Sequence, residues 1–147
     1  MKIETTRFGT VEVDENKILN FVRGILGFPN DLRYALLPHK EDSPFFWLQS
    51  VDSPDLAFVV VNPAVIVSDY SFELPEDAQE ELQIKDEGQA EALVIVSFRK
   101  SDNGKPSEMS ANLLGPIVIN VDKRLAKQVV LDPKKYPVRY EFGGVKN

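Results

Sequence analysis

The residues able to do chemistry in this chain are few, and they form no familiar catalytic or metal-binding pattern. His39 is the only histidine among the 147 residues, and there is no cysteine, which excludes thiolate metal sites and thiol nucleophiles. His39 follows Pro38, and we predict a solvated loop histidine here, not a metal ligand or a catalytic base. No serine lies in the G-x-S-x-G context that presents a nucleophile.

Two other patterns are weak candidates for chemistry. The segment 24–27 has two glycines, but their spacing does not match a phosphate-binding loop, so we interpret them as turn positions. The neighbouring acids Glu80 and Glu81 suit general acid–base catalysis, but on an exposed helix both should titrate normally. We therefore predict a non-enzymatic protein with no cofactor and no metal site, because function must be argued from a site and none is visible.

Charge gives a clearer indication of partners. The net charge is −6, which disfavours direct nucleic-acid binding and suits a basic protein partner; the alternative is that acidity only keeps the chain soluble. Residues 69–91 hold nine acids and one lysine, whereas residues 123–147 hold seven basic and two acidic residues. The sequence thus predicts one acidic face and a basic C-terminal end.

Nothing in the sequence indicates export or membrane insertion. The first eight residues are charged and alternating, without the apolar stretch of a signal peptide. The longest apolar runs, such as residues 56–61, are far too short to span a bilayer. We expect a cytoplasmic protein, and a monomer, because no exposed apolar stripe is identifiable.

Most of the chain has the periodicity of short strands. Residues 2–8 and 10–13 flank Gly9 and predict a hairpin. Residues 45–51 and 56–61 predict a central hairpin, and the second run is so apolar that both of its faces should be buried. Further strands are predicted at residues 18–22, 34–37, 92–100, 109–114, 117–121 and 125–131, with an Asn-Gly turn inside 101–106 and a possible short strand at 138–140.

One segment is typical of a helix. Residues 76–84 follow Pro75, with acids in the first turn. Leu74, Ala78 and Leu82 fall on one side of this helix, and its acids fall on the other. We predict a mainly β, small single-domain antiparallel β-barrel-like fold with one short acidic helix, spanning residues 1–142, and a flexible C-terminal tail at 143–147.

Several single residues have two interpretations. Phe46 and Trp47 should point to opposite faces of a strand, one in the core and one towards a partner, although both could be core. Gln49 should either satisfy buried backbone groups or contact a partner. Asn112 and Asn120 bracket a Gly-Pro break. We expect their side chains to pin this turn by hydrogen bonding, and we favour that role over partner binding. Gln128 should simply point outward.

Five motifs, taken in order, resemble one protein family. They are residues 24–29 (GILGFP), 46–52 (FWLQSVD), 56–63 (LAFVVVNP), 110–120 (SANLLGPIVIN) and 127–131 (KQVVL). Their order and spacing resemble the FliW family of bacterial flagellar assembly factors, over about residues 3–140. The family more often has alanine where this chain has Gly115.

The resemblance implies a β-barrel-like fold, no enzymatic activity and two protein partners. One is flagellin, and the other is CsrA, a basic dimeric RNA-binding regulator that represses flagellin translation. By resemblance, the protein antagonises CsrA allosterically, and flagellin competes for it. Two alternatives remain: a flagellin-specific cytoplasmic chaperone without CsrA regulation, and an enzyme with a polar pocket near His39.

The resemblance also directs attention to particular residues. We expect the acidic segment 69–91 to face CsrA, because CsrA must be basic where it holds RNA. The candidates for partner binding combine exposed acids with strand aromatics and amides. They are Glu73, Glu76, Asp77, Glu80, Phe46, Trp47, Gln49 and Asn112.

Overall fold

Short β-branched and aromatic runs separated by turn residues give a fold made mostly of strands. The structure is a computed structural model that describes residues 1–39, 41–99 and 108–142. The strands of this part are β1 (Lys2–Thr5), β2 (Gly9–Glu12), β3 (Leu19–Phe21), β4 (Arg33–Pro38), β5 (Phe46–Ser50), β6 (Ala57–Val61), β7 (Ala90–Arg99), β8 (Glu108–Ala111), β9 (Ile117–Asn120), β10 (Leu125–Gln128) and β11 (Tyr140–Phe142).

The described helical segments are one α-helix, α1 (Glu76–Leu82), and three short 3-10 turns at Glu15–Lys17, Pro63–Val65 and Glu87–Gln89. This confirms the prediction of a mainly β fold with one short acidic helix. The Asn-Gly turn and the C-terminal tail predicted from the sequence lie outside the described residues. The strands on either side of that turn, β7 and β8, do pair antiparallel.

The main sheet closes on itself. Its strands follow the order β11-β8-β7-β6-β5-β4-β3-β10-β9, and β9 pairs back onto the first half of β7. Strands β7, β6, β5, β4, β3, β10 and β9 therefore form a ring, which confirms the barrel-like expectation. The pairing is antiparallel throughout this sheet except between β3 and β10, which run parallel. The predicted antiparallel pairing therefore holds for every strand pair of the barrel but this one.

The barrel has a filled interior and three outer layers. The interior cluster includes Leu19, Tyr34, Leu48 and Ile117, each fully buried. Strand β6 contributes to two layers, because Val60 joins this interior while its neighbours pack in an outer cluster. The sequence prediction that this strand is buried on both faces is confirmed.

The β1–β2 hairpin and α1 cover different outer faces of the barrel. Ile3 of the hairpin packs with Ile18 and Ala35, so the hairpin lies over β4. Helix α1 packs Ala78 and Leu82 against the outer face of β9 and the chain after β10. The packing of the acidic helix on the sheet fixes where its charges are presented.

Candidate protein-binding surface

The apolar side of α1 determines which of its acids face solvent. Ala78 and Leu82 are buried against Val118 and Val129. Helical periodicity then places Glu76 and Glu80 on the opposite, exposed side. The amphipathic pattern read from the sequence is confirmed, and it produces an outward-facing acidic helix.

The C-terminal end of α1 is clasped to the barrel by a buried asparagine. Asn120 is fully buried, and its Nδ2 donates hydrogen bonds to the carbonyl oxygens of Leu82 (2.8 Å) and Gln83 (3.2 Å). Its Oδ1 accepts from the backbone N–H groups of Asp122 and Lys123 at 3.0 and 3.1 Å. The last carbonyls of a helix have no partner inside it. Asn120 therefore pins the turn that follows β9 and satisfies the end of α1, and the prediction that it pins the Gly-Pro turn is wrong.

A second attachment of α1 is ionic. Glu81 accepts hydrogen bonds from Lys127 on β10 and from Arg23, whose Nη2 lies 3.0 Å from the carboxylate. The hydrogen bond from Lys127, followed by that from Arg23, lowers the pKa of Glu81. The prediction that Glu81 titrates normally is therefore wrong, because the barrel brings two cations to this carboxylate that are distant in sequence.

The other acids of this region form the surface that we call the acidic surface: Glu73, Glu76, Asp77 and Glu80. All four are exposed. Among the described residues, none of the four belongs to an ion pair. Their field is therefore directed into solvent, available to a cationic partner within about one Debye length, roughly 8 Å at physiological salt.

Trp47 and Phe46 lie elsewhere, on β5. Trp47 is half-buried against an outer cluster, and the guanidinium of Arg7 lies 4.2 Å from its ring centroid. The ring of Phe8 meets it edge-on at 6.0 Å. Phe46 faces the other side of the strand and is 38% exposed. A partner contact through Phe46 stays a prediction, and Trp47 has a packing role of its own.

The environment of His39 differs from the one predicted. Its ring stacks on Trp47, with centroids 5.6 Å apart and planes 25° apart, and it meets Phe45 edge-on. The side chain is half-buried, so the expectation of a solvated loop histidine is wrong. Within the described part of the chain, no cluster of three or more His, Asp or Glu side chains could hold a metal ion.

Gln49 is a structural residue. It is fully buried, and its Nε2 lies 3.1 to 3.4 Å from four carbonyl oxygens in and after the turn that follows β5. Of the two interpretations, the structure favours the one in which Gln49 satisfies buried backbone groups. The partner-contact interpretation is corrected, because this side chain has no surface to offer.

Two further amides organise loops. Oδ1 of Asn112 accepts from the N–H groups of Leu114 (3.1 Å) and Gly115 (2.9 Å), so it pins the Gly-Pro turn as predicted. Gln128 does not simply point outward: its Nε2 donates to the carbonyl of Gly115, and its Oε1 accepts from Leu26 N–H, both at 3.0 Å. A Cβ at position 115 would lie 2.9 Å from Gln128 Nε2, so glycine gives this bridge its room.

The candidates predicted from the sequence thus fall into separate places. The four acids share one surface, Trp47 lies in an aromatic cluster on β5, and Gln49 is internal. Two features were not apparent from the sequence, namely the contact between Asn120 and the end of α1 and a cleft beside that helix. The only available sign of the cleft was a pair of small residues, Ala90 and Ala92, at alternating positions of a strand.

Comparison with known proteins agrees with this architecture. The family model described as "FliW protein" matches residues 2–142. A flagellar assembly factor FliW from Syntrophus aciditrophicus is 44% identical over 142 residues, covering 97% of this chain and 87% of its own. The counterpart from Exiguobacterium sp. is 43% identical over 147 residues, covering 99% of this chain and 97% of its own.

A solved structure gives the same result in three dimensions. It is described as the crystal structure of the flagellar assembly factor FliW, with a TM-score of 0.82 and 37% identity, and the match covers 97% of this chain and 98% of that one. In the described residues, no helix is both long and apolar enough to cross a membrane. Sequence and structure together place this chain in the FliW family of flagellar assembly factors.

Proposed function

We propose that this protein is a non-enzymatic, cytoplasmic regulator that binds flagellin and CsrA and antagonises CsrA. Its membership of a family of flagellar assembly factors supports a role in building the flagellum. The observation that carries the proposal further is the acidic surface, which lies on and just before α1 and has no ion-pair partners among the described residues.

The physical argument is electrostatic. A protein that holds RNA must concentrate Lys and Arg along the path of the phosphates. An acidic surface is attracted to such a protein, and when bound it also repels RNA. Because the Debye length is about 8 Å at physiological salt, direct repulsion requires the acidic surface to lie near the RNA path. If it docks farther away, antagonism is allosteric, as the family resemblance implies.

Flagellin then sets the amount of protein available to CsrA. Flagellin that accumulates before export occupies this protein, and CsrA remains free to repress flagellin translation. After export the protein is released, binds CsrA as a monomer and relieves repression. Translation of flagellin is thereby coupled to its export.

The first experiment is isothermal titration of the purified protein with purified CsrA, repeated with flagellin already bound. Binding that flagellin abolishes supports the proposed switch. Binding to flagellin without any binding to CsrA refutes the regulatory role and leaves a flagellin-specific chaperone. Binding to neither protein refutes both.

A charge-reversal variant tests the acidic surface. Replacing Glu76, Asp77 and Glu80 with lysine should weaken CsrA binding by about tenfold or more and flatten its salt dependence. The control reverses three exposed acids outside this surface, Glu15, Glu41 and Glu141. It changes net charge equally, so unchanged affinity in the first variant, or equal losses in both, would contradict a specific role for the acidic surface.

A further inference from the structure

A cleft opens beside the acidic surface, between residues 71–74, Gln79 of α1, residues 84–87 after α1 and the start of β7. Its apolar lining consists of side chains that are half-buried, except for the buried Val118 at its base. The apolar residues that line the cleft are Phe72, Leu74, Ile84, Ala90, Ala92 and Val118. We refer to this feature as the apolar cleft.

The apolar cleft exists because small residues occupy a strand position that the helix does not cover. Ala90 and Ala92 alternate on β7 opposite Asn120 and Val118 of β9, so they lie on the outer face that α1 packs against. Their methyl groups are too short to fill the space between this face and Ile84. Half-buried aliphatic groups around an open cleft offer apolar area to a partner.

The rim of the apolar cleft carries uneven charge. Glu73, Asp86, Glu87 and Glu91 line it together with a single cation, Lys85. Asp86 already accepts a hydrogen bond from the N–H of Gly88 at the start of a 3-10 turn. In the described ranges, the other three acids belong to no ion pair, so the rim attracts cations.

We propose that the apolar cleft binds a segment of a protein partner that presents an aliphatic side chain flanked by Lys or Arg. The aliphatic group enters against Ala92 and Ile84, and the cations meet Glu87 and Glu91. The inference rests on the proposed function, since it places the apolar contact of the basic partner next to the acidic surface. Nucleic acid does not suit this site, because phosphates would meet the acidic rim.

The apolar cleft does not suit a symmetric dimer contact between two copies of this chain either. In a two-fold dimer the same patch lies on both sides of the interface. The acidic rims of the two copies would then face each other, and like charges facing each other across an interface are unfavourable. Charge complementarity therefore favours a basic partner.

The direct test uses the full chain, labelled with ¹⁵N, and the peptide Lys-Leu-Lys-Val-Lys-Leu-Lys. Amide shifts should change at Ile84, Ala90 and Ala92. Two analogues are compared, one with glutamine for every lysine and one with serine for every aliphatic residue. Both should bind at least about fivefold more weakly, because each removes one of the two complementary features. Shifts elsewhere, or equal binding of all three peptides, would overturn the proposal.

Variants of the chain test whether the peptide binds in the apolar cleft. Ala92→Phe fills the cleft without changing charge and should weaken peptide binding by about tenfold; Ala64→Phe, at an exposed alanine outside the cleft, should not. Should Ala92→Phe prove unfolded by circular dichroism, the double variant Glu87→Gln, Glu91→Gln gives the same test without altering packing. Peptide affinity unchanged in the folded cleft variants would refute the cleft.

The two proposals can fail separately. If the peptide binds the apolar cleft while CsrA does not bind the chain, the proposed regulatory function fails and the cleft remains a site for a basic partner. If reversing the acidic surface weakens CsrA binding but Ala92→Phe changes neither peptide nor CsrA affinity, the cleft inference fails. Self-association that Ala92→Phe abolishes in sedimentation would show that a second copy occupies the cleft, which would also overturn the inference.

Discussion

The Asn120 clasp should be a large single contributor to stability. Asn120→Ala removes four hydrogen bonds, of which the one to Leu82 is buried. The other three, to Gln83, Asp122 and Lys123, are partly buried. The four bonds, at about 0.5 to 1 kcal/mol net each, predict a loss of about 3 kcal/mol in the free energy of unfolding. At about 3 °C per kcal/mol for a chain of this size, the midpoint of thermal unfolding should fall by about 9 °C.

The assay is thermal and urea unfolding, followed by amide hydrogen exchange at the end of α1. Asn112→Ala is the matched control, because that half-buried side chain accepts two hydrogen bonds from described residues, neither of which belongs to α1. Its loss should be about 1 to 2 kcal/mol. The amides of Gln83 and Ile84 should exchange faster in Asn120→Ala alone. Equal losses in the two variants, with unchanged exchange at α1, would refute the reasoning.

Two further changes test the ion pairs of Glu81 and the close packing at Gly24. Because Lys127 and Arg23 lower the pKa of Glu81 from its ordinary 4.5, its contribution to stability is full above that value and is lost as pH falls through the lowered pKa. Glu81→Gln should therefore reduce the urea midpoint at pH 7. At a pH below the lowered pKa of Glu81 it should have no effect, because the carboxyl of the parent is then protonated as well. Gly24→Ala should strongly lower the unfolding temperature, because its Cβ would overlap the backbone of Phe28 and Pro29.

Each of these two changes has a control on the same chain. Glu80→Gln alters a neighbouring acid of α1 that has no ion pair in the described part of the chain, so its urea midpoint should depend on pH as the parent's does. Gly88→Ala places a Cβ 3.2 Å from a side-chain oxygen of Asp86, which can shift. Comparable effects of Glu80→Gln and Glu81→Gln, or of the two glycine changes, would contradict the assigned contacts.

Local patterns predicted most elements of the fold. The single Gly9 between two alternating runs predicted the β1–β2 hairpin, and the apolar run at 56–61 predicted a strand buried on both faces, which is β6. Helix α1 was recognisable from the spacing of Ala78 and Leu82 and from the acids after Pro75. These signals are local, because strand and helix periodicities are set by neighbouring residues.

Side-chain roles were harder to predict where the partner is distant in sequence. Gln128 contacts Leu26 across 102 positions, and Asn120 contacts Leu82 across 38. A polar residue in a strand gives the same sequence pattern whether its side chain points to solvent or forms hydrogen bonds with a distant loop. His39 was misjudged for a different reason, because the register of the β4–β5 hairpin, which pairs Leu37 with Trp47, brings it onto a ring that is close in sequence.

The sequence by itself determined the fold class, the acidic helix and the exposed position of its acids, because periodicity and charge are properties of short segments. Ring closure through β7 and β9, the parallel pairing of β3 with β10, and the ion pairs of Glu81 were decided only by the tertiary structure. So was the apolar cleft, since the space left by two alanines depends on which helix packs beside them. Contacts between distant segments depend on the register of the whole sheet, and no local pattern encodes that register.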